Sequence, residues 1–256
     1  MVTIKTKEEI EILREGGKIL AEILKKLKAL VVPGVHTLEL DEQARFLMKQ
    51  KGATSAFLGY KPYGANRPYP AALCVSINSE VVHGIPNENN RIINEGDIVS
   101  LDCGIIYKGL YTDSAITVGC GEIDAKAKKL LSITEEALMR GIEAAKVGKK
   151  TGDIGEAIEK YVRGKGYGIA ENLGGHGVGY SQHEDPFVPN FGKPNQGVSL
   201  KPGMVIAIEP MLNEGSAKVK LLSDGYTYKT FDGKRSAHFE HTILISKSGP
   251  EILTTE

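Results

Sequence analysis

The sequence has 256 residues, 41% of them hydrophobic, with 32 lysines plus arginines against 32 aspartates plus glutamates. That length suffices for one large core or two fused half-size units, and a formal net charge of zero gives no electrostatic case for nucleic acid or an anionic membrane as the main partner. The N-terminus is charged from the start and lacks the apolar core of a secretory signal, and no apolar stretch approaches membrane-spanning length. Cys74, Cys103 and Cys120 share no C-x-x-C spacing and read as free thiols of a reducing compartment. Together these features predict a soluble, cytoplasmic, monomeric globule.

In chain order, Glu9 to Leu30 carries Ile12, Ile19, Ile23, Leu27 and Leu30 at helical spacing. Lys25, Lys26 and Lys28 read as the solvated face of this helix rather than a docking patch, because Glu8, Glu9, Glu11, Glu15 and Glu22 offset them. A second helix is expected after Pro33-Gly34, with Thr37 as N-cap and an end near Gln50. From Ala72 the texture changes to short β-type runs, LCVSI, IVSLDCGIIY and AITV. Helical periodicity returns over Asp124–Lys146 and Thr151–Lys165, and the last third is strand-rich, with VIAIEP and FEHTILI.

This order hides a repeat. Gly34, Thr37, Leu40, Leu47 and Gly52 align with Gly148, Thr151, Ile154, Tyr161 and Gly166 at a constant offset of 114. Gly96, Val99, Leu101 and Asp102 align with Gly203, Ile206, Ile208 and Glu209 at an offset of 107. Two matched elements in the same order favour duplication over chance likeness of helix starts. The fold expected is a pseudo-twofold α+β domain spanning residues 1–256, with halves of about 1–120 and 121–256, strands central and helices outside.

Four acids stand in runs that otherwise call for burial. In IVSLDCGII, alternation puts Ile98, Ser100 and Asp102 on one face and Val99, Leu101 and Cys103 on the other. Asp113 heads DSAITV, Glu209 ends VIAIE and Glu240 opens EHTILI. A lone acid of this kind reads as a strand-end ion pair, but four of them, two from each half, have few cations nearby in sequence. Buried carboxylates protonate, pair or bind metal, and metal is the economical answer for a group. His176, in GGHGVG, adds an imidazole between glycines that would let the backbone approach a bound group closely. An oxygen-rich set with one imidazole suits Co, Mn, Fe(II) or Zn, and bridging carboxylates could hold two such ions about 3.5 Å apart.

The strings SINSEVVHGIP, DCG, YTDSA, GGHGVG, IEP and FEHTI resemble the methionine aminopeptidases of the pita-bread fold, over essentially the whole chain. The 33 residues from His176 to Glu209 and the 31 from Glu209 to Glu240 leave no room for the helical insertion of the type II enzymes, so the resemblance is to type I. It implies two divalent ions, with Asp102 on one, His176 and Glu209 on the other, and Asp113 and Glu240 bridging. A hydroxide activated by the metal pair would be the nucleophile, and Glu209 would relay a proton. His83 and His183 match two family histidines that hydrogen-bond the scissile amide without ligating metal. His238 and His241 flank Glu240, and alternation points both away from the metals. Tyr60, Tyr69, Cys74, Gln182 and Tyr226 are expected to line a pocket for the methionine side chain. Tyr180, Ser181 and Gln182 depart from the family's usual Arg, one residue, Phe, and Lys61–Pro70 looks longer than usual and is expected to reshape the mouth of the site. The implied substrates are nascent polypeptides with an N-terminal methionine and a small second residue, with the ribosome as an associated surface. A rival is an Xaa-Pro dipeptidase or aminopeptidase of the same fold, which usually carries an extra N-terminal domain not evident here. A second rival is a non-catalytic relative that binds peptide or ribosome; such relatives lose ligands, and all five are present here.

Overall fold

The computed structural model describes residues 2–89 and 91–256. In the first half lie α1 (Lys7–Ala29), α2 (Thr37–Gln50), β1 (Thr54–Ser55), β2 (Cys74–Ile77), β3 (Glu80–Val82), β4 (Ile98–Tyr107) and β5 (Leu110–Gly119). The second half opens with α3 (Ala125–Ala144), α4 (Thr151–Val162), β6 (Gly168–Ile169), β7 (Gly174–Gly177) and β8 (Glu184–Pro189). It continues through β9 (Val205–Ile208), β10 (Met211–Asn213), β11 (Val219–Leu221) and β12 (Tyr228–Thr230). It closes with β13 (Ser236–His238), β14 (Glu240–Ser246) and β15 (Gly249–Ile252).

Local chemistry sets the helix starts. Thr6 and Glu9 exchange hydrogen bonds between side chain and backbone at the head of α1. The N-cap of α2 is His36, not Thr37 as the sequence suggests: the Thr37 hydroxyl is drawn away to donate to the Pro86 carbonyl at 2.6 Å. Asp124 caps α3 by accepting from the Ala127 N–H at 2.8 Å. Helix α4 stops short of Lys165, because Arg163 leaves helical geometry and Gly164 turns into the left-handed region.

One antiparallel sheet runs β1-β4-β5-β14-β9-β7-β8, with β2 added on β4 and β15 on β14, so both halves share it. The predicted alternation in β4 holds. Val99, Leu101, Cys103 and Ile105 pack under Leu20, Ile23, Leu40 and Leu47 of α1 and α2. In the second half Ile206, Ile208, Ile243 and Ile245 pack under Leu130, Leu138, Ile154 and Ile158 of α3 and α4.

The repeat reappears as hydrogen bonds. His36 bridges Ile92, and Lys150 bridges Ser199. The Gly34 N–H donates to the Ile93 carbonyl and that of Gly148 to Leu200; Thr37 donates to Arg91 and Thr151 to Val198. Every pair is displaced by 114 on the helix side and 107 on the strand side, the two offsets seen in the sequence.

Candidate metal centre

The pleat and register of the shared sheet bring the acids together at its centre. Asp102 of β4 faces Ala115 across the hairpin, and Glu240, the first residue of β14, pairs with the same Ala115 from the other side. Asp113 lies in the middle of β5 rather than at a strand head, opposite Gly104. Glu209 directly follows β9, and His176 sits in β7. Asp102, Asp113, His176 and Glu240 are buried, and Glu209 nearly so.

Single ligand atoms of Asp113, His176 and Glu240 lie within 4.8 Å of one another. The His176 Nε2 is 3.5 Å from Glu209 Oε1 and 3.9 Å from Asp113 Oδ2. Its other nitrogen, Nδ1, is 2.9 Å from the Gly177 carbonyl, an arrangement that puts the proton on Nδ1 and leaves the Nε2 lone pair for the acids' side. Asp102 lines the same cavity.

Burial pushes all four carboxyls up, and their mutual repulsion adds to it for Asp102, Glu209 and Glu240: Asp113 to about 7, the other three well above the ordinary range. Burial lowers His176 to about 3, so it stays neutral and ligand-competent. Among the described residues, the ion-pair partners of these acids are His176 and His238, with no lysine or arginine. Glu240 Oε1 is buried with no hydrogen-bond partner. A divalent cation fits this donor set: it offsets the repulsion and satisfies the orphaned oxygen.

The glycines beside His176 are required by the neighbouring strands: a Cβ on Gly175 would lie 2.1 Å from the Ala207 carbonyl, and one on Gly177 2.2 Å from that of Asp185. One expectation is corrected here. His238 does not point away, since its Nε2 is 3.5 Å from Glu209 Oε2. Strand β13 ends at His238 and β14 begins at Glu240, so alternation does not carry across Phe239. His241 does turn aside, its Nδ1 2.8 Å from the Thr254 hydroxyl.

Beside the acids opens a cavity of about 180 Å³, and every predicted pocket residue lines it: Tyr60, Tyr69, Cys74, His83, Gln182, His183 and Tyr226. Phe57 and Pro62 line it too: Pro62 belongs to the lengthened Lys61–Pro70 segment, whereas Phe57 was missed, because the SAFLGY run around it looks like ordinary loop sequence with no spacing signal. The hydroxyls of Tyr69 and Tyr226 donate outward to the carbonyls of Gly84 and Arg67, so the walls of the cavity are largely ring and thiol. Cys74 is the register partner of Asp102, and burial raises its thiol well above the ordinary range, which keeps it protonated. His83 adopts φ 60°, a conformation unfavourable for a side chain with a Cβ, of the sort that clusters at functional sites. Tyr60 Oη lies 2.8 Å from His183 Nδ1, and the His183 and His176 rings are 4.3 Å apart. Gln182 is more than a wall: its amide donates to Asp113 Oδ2, while its Oε1 is buried without a partner. Tyr180 lies apart from the cavity and donates to Glu9.

An oxygen-rich candidate cation site built by two similar halves, opening on a largely apolar cavity lined also by His83 and His183, fits a metal-dependent hydrolytic protein. The family model for metallopeptidase family M24 matches residues 11–247, and the chain belongs to that family. Methionine aminopeptidase of Clostridium perfringens is 47% identical over 254 residues, 99% of each chain. The crystal structure of methionine aminopeptidase from Thermotoga maritima superposes with a TM-score of 0.94 at 43% identity, covering all of both chains. An Xaa-Pro dipeptidase of Bacillus anthracis superposes at 0.78 with 27% identity, and this chain covers 62% of its length. Among the described residues no helix is long and apolar enough to cross a membrane.

Proposed function

We propose that this chain is a methionine aminopeptidase that removes the N-terminal methionine from nascent polypeptides in the cytoplasm, acting as one catalytic unit. The observation that carries the reading is the apolar cavity abutting the acid and imidazole cluster, because a small apolar pocket beside a cation site suits one side chain at a chain terminus. Kinship at nearly full length with relatives named for this activity supports it.

Asp102, Asp113, His176, Glu209 and Glu240 would hold two divalent ions. When bound, such ions supply Lewis acidity and an activated water at neutral pH. The chain's own residues do the rest. Tyr60, Tyr69, Phe57 and Tyr226 enclose the methionine side chain and exclude water. His83 and His183 hydrogen-bond the scissile amide, with His183 oriented by Tyr60. Glu209 carries a proton to the leaving amine.

The test is cleavage of Met-Ala-Ser against Leu-Pro by protein stripped with chelator and refilled with Mn or Co. Methionine released only after refilling is the expected result. Cleavage of Leu-Pro alone would move the chain to the dipeptidase branch.

A further inference from the structure

Among the described residues, the most deeply buried pair of full charges lies outside the acid cluster, in the N-terminal segment. Lys5 Nζ is 2.8 Å from Glu184 Oε2, with the two side chains 0% and 7% exposed. Burying such a pair is costly, and its net gain over an apolar pair is small, so what the pair holds in place is the informative point. Glu184 is a hub. Its Oε2 accepts from Lys5 and, at 2.6 Å, from the Thr3 hydroxyl. Its Oε1 accepts from the backbone N–H groups of Tyr180 and Ser181, so the loop from 180 to 184 closes upon its own last residue. Ser181 tightens it by donating to the His183 carbonyl at 2.9 Å. Lys5 itself is fixed, its N–H donating to Gly203 at 2.8 Å and its ammonium lying 4.7 Å from the Tyr180 ring. That ring is held in turn by its hydroxyl's hydrogen bond to Glu9 in the first turn of α1. The two residues enclosed by this loop are Gln182, whose amide meets Asp113, and His183, whose ring meets Tyr60.

We propose that Lys5 and Glu184 are positioning residues: the N-terminal segment pins the 180–184 loop and so sets the Gln182 amide against Asp113 and the His183 ring at the cavity. The catalytic consequence rests on the aminopeptidase reading of His183. The Tyr180 departure from the family pattern belongs to the same device, since an aromatic face accepts the Lys5 ammonium where a second cation would repel it.

The test compares Lys5→Met, Glu184→Gln and the double variant with the unaltered protein. Amide exchange at Tyr180 and Ser181, metal stoichiometry, and kcat and KM for Met-Ala-Ser are measured. Expected for Lys5→Met are exchange at these two amides at least about tenfold faster and unchanged metal stoichiometry. A kcat about tenfold lower with KM nearly unchanged is also expected, because a misplacement on the order of 1 Å can cost about 100-fold and losses confined to the transition state spare KM. If Lys5→Met does not fold, the double variant, with no unpaired buried charge, should fold and show the same losses. A lowered melting temperature with wild-type kcat and wild-type exchange at residues 180 and 181 would overturn the proposal, as would a double variant that behaves as wild type. Unaltered protein that cleaves no peptide would sink the aminopeptidase reading instead, leaving the exchange comparison to decide whether the loop is pinned.

Discussion

Replacing Asp113 with asparagine should stabilise the metal-free protein at alkaline pH while weakening metal binding. Folding holds this carboxyl at about 7 against an ordinary 3.8, chiefly through burial. The folded value is raised, so between those limits the folded chain keeps a proton that the unfolded chain has released, and stability falls as pH climbs through the interval. Each pH unit is worth about 1.4 kcal/mol, so the metal-free wild type should lose on the order of 4 kcal/mol from this group by pH 8. Asparagine keeps the shape of the side chain, its carbonyl can still accept from the Ser114 N–H, and the unpartnered Gln182 Oε1 can turn to meet its amide. The assay is urea unfolding of chelator-treated wild type and Asp113→Asn at pH 5 and pH 8, with manganese titrated into each by calorimetry. The midpoint of the variant should exceed that of wild type at pH 8, and the gap should narrow at pH 5, with the denaturant slope unchanged. A variant no more stable than wild type at pH 8 would refute the view that uncompensated carboxylates dominate this centre.

Gln182→Leu removes a bond to the candidate ligand Asp113 and should weaken manganese binding by at least about tenfold, measured by calorimetry. His183→Ala should reduce turnover of Met-Ala-Ser by about 100-fold with metal content intact. Tyr60→Phe, which removes only the hydrogen bond orienting that ring, should cost about 1 kcal/mol, near fivefold in rate. Gly104→Ala would place a methyl 2.6 Å from Phe57 Cε1 and 2.9 Å from Gln182 Oε1, and should lower stability by about 1–3 kcal/mol in thermal unfolding.

What the sequence made legible follows from which signals are local. Asp102, Asp113, Glu209 and Glu240 stood out because each lies within or at one end of a run that calls for burial, and a buried charge without a partner is conspicuous in one dimension. The repeat was legible because helix starts and strand cores carry their patterns within a few residues. The misread features depend on partners distant in the chain. Thr37 looks like a cap until Pro86, 49 residues on, takes its hydroxyl. His238 reaches Glu209 because a strand break at Phe239 resets the alternation, and nothing in AHFEH announces the break. Phe57 becomes a cavity wall only when folding sets it in one cavity with Glu209 and Glu240 of the other half.

The matched hydrogen bonds of the two halves also bear on descent. Asp102 and Glu209 occupy equivalent places, 107 residues apart, yet the only imidazole among the five candidate ligands, His176, comes from the second half, and the cavity wall takes Phe57, Tyr60, Pro62 and Tyr69 from the first half but Gln182, His183 and Tyr226 from the second. Two identical chains meeting on a true axis could gather paired acids around a cation, but each wall residue would then appear twice and every asymmetry would be forbidden. Two similar halves in one polypeptide are under no such constraint. Both halves contribute acids and both contribute wall residues, but not all at equivalent positions, so a single chain can surround one cation with an unequal set of donors and give one guest a cavity without a mirror image.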